Sequence, residues 1–219
     1  MKMYVTKMML ASIVSILLFI SCKKEQSQEL QLQQTGEENL LVEAQQAVNE
    51  KKAEAAAFEK EYNSFTEPVA ARHTNKNVLE VLQYPCFFKS FTAAVVKTGL
   101  VSTLSASTLH ATLFAPTDAA FSKLAPPFNN AANIAGITDP DSIYALRNII
   151  LYHLLGTQKF RHQFPLGRSS AASLKPEEGL NDHVLYTSNS FGVLLINGKS
   201  LVLLSNLNAS NGVIHIVDD

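Results

Sequence analysis

Tryptophan is absent from this sequence, and cysteine occurs only twice, at Cys22 and Cys86. Without Trp, an aromatic platform for stacking a sugar has to be built from Phe or Tyr. Charge of one sign is also missing. The net charge is −1, so no global field argues for nucleic acid or for a strongly acidic substrate. Catalytic signatures are lacking as well: there is no GxSxG elbow, Walker loop, GxGxxG or HExxH. The six histidines are His73, His110, His153, His162, His183 and His215, and none is set beside another His or Cys at metal-ligand spacing. Asp139, Asp141 and Asp182 do not form a calcium-loop pattern. No cofactor, metal or nucleic acid is expected, and no internal repeat at a fixed period is found. Ser, His and Asp are all present, so a triad assembled only in space stays open at this stage.

What is present begins with a targeting segment. Lys2 and Lys7 flank the start, and Met8 to Ile20 is an almost unbroken apolar run. A run of about thirteen residues is too short to span a bilayer but suits a secretory core. It leads into Phe19-Ile20-Ser21-Cys22, which resembles a bacterial lipobox, with Phe19 where Leu is preferred. The resemblance implies a signal peptide over 1–22, lipidation of Cys22, and anchoring to a membrane of the bacterial cell envelope, outer membrane or cell surface. Each buried CH₂ contributes about 0.8 kcal/mol, so several acyl chains hold a protein durably. Cys86 is then the lone thiol of the mature chain, and no internal disulfide is expected. Its setting, Pro85-Cys86-Phe87-Phe88, predicts a buried and inert thiol.

Residues 23–75 carry six Lys or Arg against ten Asp or Glu, whereas 76–219 carry ten against nine. The shift marks two regions. Residues 23–34 are Gln-rich and polar and read as a tether. Thr35 and Glu38 have capping-box spacing. Apolar residues then recur at Leu41, Ala44, Val48, Ala55, Phe58, Tyr62 and Phe65, with Lys51 in the skipped slot, until Pro68. This is a long helix with a heptad-like seam, reaching roughly 45 Å if about 30 residues are helical. It is either a spacer or a helix docked on the domain. A weak self-association through residues 35–66 is a third possibility.

From Asn77 the texture is globular. Helices are expected over Asn77–Leu82 and Cys86–Lys97, the second stopped by Gly99. A strand is expected at Ala111–Ala115. Thr117 is placed to N-cap a helix and Asp118 to complement its dipole. Asp139-Pro140-Asp141 opens a helix carrying Ile143, Leu146, Ile150, Leu151 and Leu154, closed by Gly156. Strands follow at His183–Thr187, Gly192–Ile196, Leu201–Leu204 and Val213–Val217, with Asn197-Gly198 as a hairpin turn. Lys159, Arg161 and His162 read as a solvated strand edge. Asn211-Gly212 reads as a turn that tolerates positive φ.

Three pieces of this domain resemble the fasciclin (FAS1) family in order. Thr112-Leu-Phe-Ala-Pro-Thr-Asp-Ala-Ala-Phe121 resembles its first box, Leu146-Arg-Asn-Ile-Ile-Leu-Tyr-His-Leu-Leu155 its central helix, and Asn211-Gly-Val-Ile-His-Ile-Val-Asp218 its second box. The resemblance implies an α+β FAS1 fold over 76–219, a β-sandwich or wedge with helices packed along one side, here preceded by the long N-terminal helix. It implies that the final strand runs on through an apolar ending; the sequence reaches Asp219. It also implies an adhesion or binding module, not an enzyme, with a protein or polysaccharide at a surface or matrix as partner. In the family a Tyr-His pair of the central helix is linked to adhesion, which makes Tyr152 and His153 candidate contact residues. The alternative reading is that His153 is a buried histidine tying that helix to the second box near His215. Thr117, Asp118, Asn211, Gly212 and His215 are expected to carry the motif structurally. Asn206 stands where the family often has Asp, which leaves a neutral hydrogen bond in place of a charged one. A small apolar ligand or a role in envelope assembly is the second functional reading, and a hydrolase the third.

Overall fold

The computed structural model describes residues 39–64, 75–83, 86–179 and 182–219. The expected signal peptide and tether, Cys22, the Thr35 capping-box position, Phe65 and Pro68 lie outside them. Two compact units divide the chain after Asn49. In the first, residues 39–49 are helical, with Leu40, Leu41 and Val42 exposed. In the second, residues 50–64 continue as the rest of helix α1 (residues 39–64). No helix of the described residues is long and apolar enough to cross a membrane.

Within the second unit, α1 is docked. Tyr62 is buried, and its ring lies 6.1 Å from Phe58 and 6.2 Å from Phe87, with Phe58 and Phe87 5.5 Å apart. The polar slot of the seam is used: the half-buried Lys51 reaches Glu54 at 3.1 Å and Asp218 at 3.9 Å. Its ammonium is held above the ordinary lysine range, chiefly by the hydrogen bond to Glu54.

The helices that follow are α2 (Val78–Gln83), α3 (Lys89–Lys97), α4 (Val101–Ser105), α5 (Asp118–Ser122), α6 (Ala131–Gly136) and α7 (Pro140–Tyr152). The strands are β1 (Ala111–Pro116), β2 (Leu154–Leu155), β3 (Gly167–Ala172), β4 (Val184–Ser190), β5 (Val193–Ile196), β6 (Ser200–Ala209) and β7 (Gly212–Val217). Their order in the sheet is β2-β1-β7-β6-β5-β4-β3, with β1 and β7 parallel and the other neighbours antiparallel. β6 belongs to both halves of the sheet. It pairs with β5 through Ser200 and Leu201 and with β7 from Val202 to Ala209, with register shifts between Val202 and Leu204 and between Leu204 and Leu207. Bulges bend and twist a strand. The bend lets Phe114 and Val217 of one half meet Leu185, Leu194 and Ile196 of the other in a single buried cluster. This is the wedge the family resemblance implied.

Local chemistry explains most boundaries. At the end of α3, Leu100 N–H donates to Val95 O (3.0 Å) and Gly99 N–H to Val96 O (3.2 Å), a Schellman closure with Gly99 at φ 69°. Asn197 and Gly198 both have positive φ and join β5 to β6 as the expected hairpin turn. Asp139 caps α7 by accepting from Ser142 N (2.8 Å) and Oγ (2.7 Å).

Five expectations are corrected. The second helix begins at Lys89, not Cys86, and Cys86 is exposed in the preceding turn while Phe88 is buried. Leu154 and Leu155 leave the helix and pair with Leu113 and Thr112, because the outer edge of β1 offers a ladder where α7 ends. Lys159, Arg161 and His162 do not form a strand edge. Arg161 and His162 sit in a single 3-10 turn, and both Lys159 and Arg161 are half-buried. Asn211 and Gly212 do not use positive φ. Gly212 is needed for another reason: a Cβ there would lie 2.7 Å from Ala111 O and 3.0 Å from Val78 Cγ1.

Candidate functional site

The second box is deeply buried, as is the strand of the first: every residue of β7 and of β1 is inside. Asn211, just before it, is fully buried and makes three bonds. Its Oδ1 accepts from Val78 N (2.9 Å) at the start of α2, and its Nδ2 donates to Leu104 O (2.9 Å) and Ala106 O (2.9 Å) at the end of α4. One amide thereby satisfies the ends of two helices, which otherwise leave unpaired backbone groups.

His215 is equally buried. Its ring stacks on Phe114 and meets Phe164 edge-on, both at 5.6 Å. Nδ1 accepts from Asn206 N (3.4 Å), and Nε2 donates to Lys159 O (2.9 Å). That pairing requires the neutral Nε2–H tautomer. Burial pushes its pKa down to about 4, with Arg161 nearby adding to the effect. Its bond with the loop after β2 replaces the expected tie to the central helix.

In the first box, Thr117 Oγ1 accepts from Ala120 N (3.1 Å) and caps α5 as expected. Asp118 does more than complement that helix. Its carboxylate accepts from Lys89 N (3.2 Å) and Ser90 N (2.7 Å), capping α3. Thr112 carries no site signal in the sequence beyond its place in the first box. Buried in β1, it donates to Thr157 O (2.7 Å) and accepts from Lys159 N (2.7 Å).

Tyr152 and His153 close α7 and border the concavities of the domain. Both line a largely apolar cleft of about 200 Å³ with Phe114, Leu185, Ile196 and Val217. Both also border a shallower hollow with Ile149 and Lys175, and Tyr152 alone of the pair borders a groove with Tyr186 and Arg168. The Tyr152 hydroxyl donates to Val184 O (2.9 Å) and accepts from Asn197 Nδ2 (3.0 Å), so what it offers a partner is ring surface. His153 Nδ1 donates to Ile149 O (2.8 Å), and burial lowers its pKa. The cleft gathers His153, Ser200 and Asp219. No carboxylate orients this imidazole, because Nδ1 is on a backbone carbonyl. Asp219 is instead held by Lys199 and by Lys123 at 3.5 Å, which keep its carboxyl below the usual range. The arrangement therefore lacks the base-and-orienter relay of a hydrolase. Among the described residues, no group of three His, Cys, Asp or Glu is placed to hold a metal ion.

The family model of the Fasciclin domain matches residues 87–219. The chain is 32% identical over 143 residues to the transforming growth factor-beta-induced protein ig-h3 of Oryctolagus cuniculus, covering 65% of this chain and 19% of that protein. It is 30% identical over 151 residues to protein sll1483 of Synechocystis sp., covering 68% of this chain and 74% of that one. The match thus spans only about a fifth of the mammalian relative's length. A solved FAS1 domain pair from the insect cell adhesion molecule Fasciclin I superposes with a TM-score of 0.51 at 17% identity, covering 66% of this chain and 50% of that one.

Proposed function

This chain belongs to the fasciclin domain family, and from that premise we propose that it is a lipid-anchored bacterial envelope protein. Its domain adheres to a protein or polysaccharide at a cell surface or matrix, by recognition without turnover. The observation that carries the reading is the inward commitment of the motif side chains. Thr112, Asn211, His215 and the Tyr152 hydroxyl all bind the protein's own backbone. They build a scaffold and leave contact to the exposed loops and to the ring surfaces of Tyr152 and His153.

The cleft beside Tyr152 is the feature that favours a small apolar ligand instead. At about 200 Å³ it is smaller than the 300–1,000 Å³ typical of ligand pockets, and the larger groove and hollow beside Tyr152, about 640 and 460 Å³, are more open to solvent, so surface recognition is preferred. The test is the full chain on an array of matrix proteins and glycans. Binding that weakens in Tyr152→Ala but survives Tyr152→Phe supports the reading. Absence of binding across the array sinks it. Lipidation at Cys22 is tested by acyl labelling in a bacterial host: Cys22→Ala should lose the label.

A further inference from the structure

The loop between β2 and β3 is held from below by three side chains on three strands, Thr112 and His215 buried and Asn206 half-buried. Thr112 Oγ1 bonds Thr157 O and Lys159 N, His215 Nε2 bonds Lys159 O, and Asn206 Oδ1 accepts from Arg161 N at 2.6 Å. Asn206 takes φ 62° to do this. The loop is therefore set in one place, and it presents cations. Lys159 Nζ lies 5.9 Å from the Phe164 ring centroid. Arg161 is half-buried, and its Nη1 is enclosed without a protein partner. Among the described residues no carboxylate pairs with Lys159, Arg161, His162 or Arg168; Lys52, Lys60, Lys89, Lys97 and Arg147 lack one too, but among these cations only Arg161 has an enclosed side-chain nitrogen without a partner. The sequence explains the imbalance: from Ser142 to Pro176 there are five Lys or Arg and no Asp or Glu.

A guanidinium partly withdrawn from water and left without a counter-charge is in an unfavourable state. Among the described residues no ion pair or side-chain hydrogen bond offsets the desolvation of Arg161. We propose that Lys159 and Arg161 form the contact site for an acidic polysaccharide, whose carboxylate or sulfate groups supply the missing counter-charge. The proposal rests on the surface-binding reading above and names the chemistry of its partner.

With Nη1 enclosed, the remaining N–H groups of Arg161 are those left to meet a carboxylate or a sulfate, and Lys159 adds a point charge. Beside them Phe160 and His162 stack at 6.0 Å and 14°, a flat surface of the kind a sugar ring lies on in a protein without Trp. Arg168, exposed on the edge strand β3, continues the basic stretch for a polymer to follow. A membrane surface is less suited, because it gains only about 1 kcal/mol per cation and needs several. Leu166, 84% exposed, is the one neighbour that would also suit a bilayer, so the test includes lipid.

The full chain in neutral detergent micelles is titrated with heparin, polygalacturonate and dextran, and separately with micelles containing phosphatidylglycerol. Expected are binding of one or both acidic polymers, weakening as salt is raised, and none of dextran. Arg161→Gln should lose about tenfold or more in affinity, as for a charge-assisted contact. Asn206→Asp is isosteric and brings a carboxylate to the loop, so it should weaken binding while the fold is kept. Lys60→Gln, exposed on α1, should bind as the parent does. In the parent, acidic polymer should also protect Arg161 from phenylglyoxal. Equal affinity in Arg161→Gln and Asn206→Asp overturns the proposal, as does a preference for phosphatidylglycerol over both polymers. Binding only to proteins or neutral glycans overturns it and leaves the adhesion reading standing. No binding to anything overturns both.

Discussion

At the scale of single residues, the buried polar groups decide most. His215 is neutral inside and has a folded pKa of about 4, against about 6.5 unfolded. Between these values the unfolded chain binds more protons, so stability is full above pH 6.5 and falls as the pH drops towards 4. The shift corresponds to about 3 kcal/mol. His153 is lowered by burial as well and acts with the same sign. Denaturant midpoints measured from pH 7 to 4 should fall, and His215→Gln should flatten much of that slope; an unchanged slope contradicts the assignment. Gly212→Ala should cost about 3 kcal/mol, because Ala111 O is backbone and cannot yield easily. A neutral result in urea unfolding would remove the close-approach argument. Cys86, being exposed, should label with a thiol reagent in the native protein, detected by peptide mass; no labelling before unfolding would restore the buried reading.

At the scale of elements, helix ends are served by distant residues. The α3 N-terminus takes its cap from Asp118, 29 residues on from Lys89. Asp118→Ala should therefore destabilise by about 1 kcal/mol through α3, while Asp118→Asn, whose amide oxygen still accepts, should cost less. Hydrogen exchange at Ser90 reports which helix is affected; faster exchange confined to α5 would refute the assignment. The docked part of α1 makes a similar point. Tyr62 is 1% exposed, and Tyr62→Ala should lower stability by roughly 3 kcal/mol. A helix acting only as a spacer would show no change in the thermal transition. The seam spacing located α1 in the sequence. Whether it docked was not legible there, because its partner Phe87 is contributed by another segment. β3 was missed because Gly167-Arg-Ser-Ser-Ala-Ala172 has no hydrophobic alternation; its pairing with β4 defines it.

At the scale of the whole molecule, β6 joins both halves of the sheet, and the core cluster draws side chains from both. The halves should unfold together, with one transition by circular dichroism and by tyrosine fluorescence; two separated transitions would contradict a shared core. The charge pattern also acts at this scale. An acid-free stretch of sequence becomes a basic surface because the loop after β2 is pinned in place and, among the described residues, no carboxylate pairs with its cations.

The sequence by itself determined the family, the order of the boxes, most helices and strands, the caps at Thr117 and Asp139, and the hairpin at Asn197-Gly198. These depend on local propensity and spacing, which are written in adjacent residues. Only the tertiary structure decided why Gly212 is glycine, what Asn211 and Asp118 bind, that Leu154 and Leu155 form a strand, and that Arg161 is half-buried without a partner. Each of these is set by an atom far away in the chain: Ala111 O, Leu104 O, Ser90 N, Thr112, and for Arg161 the lack of a carboxylate partner among the described residues. Hydrogen bonds and charges are satisfied or left open in space, and no spacing along one chain encodes which.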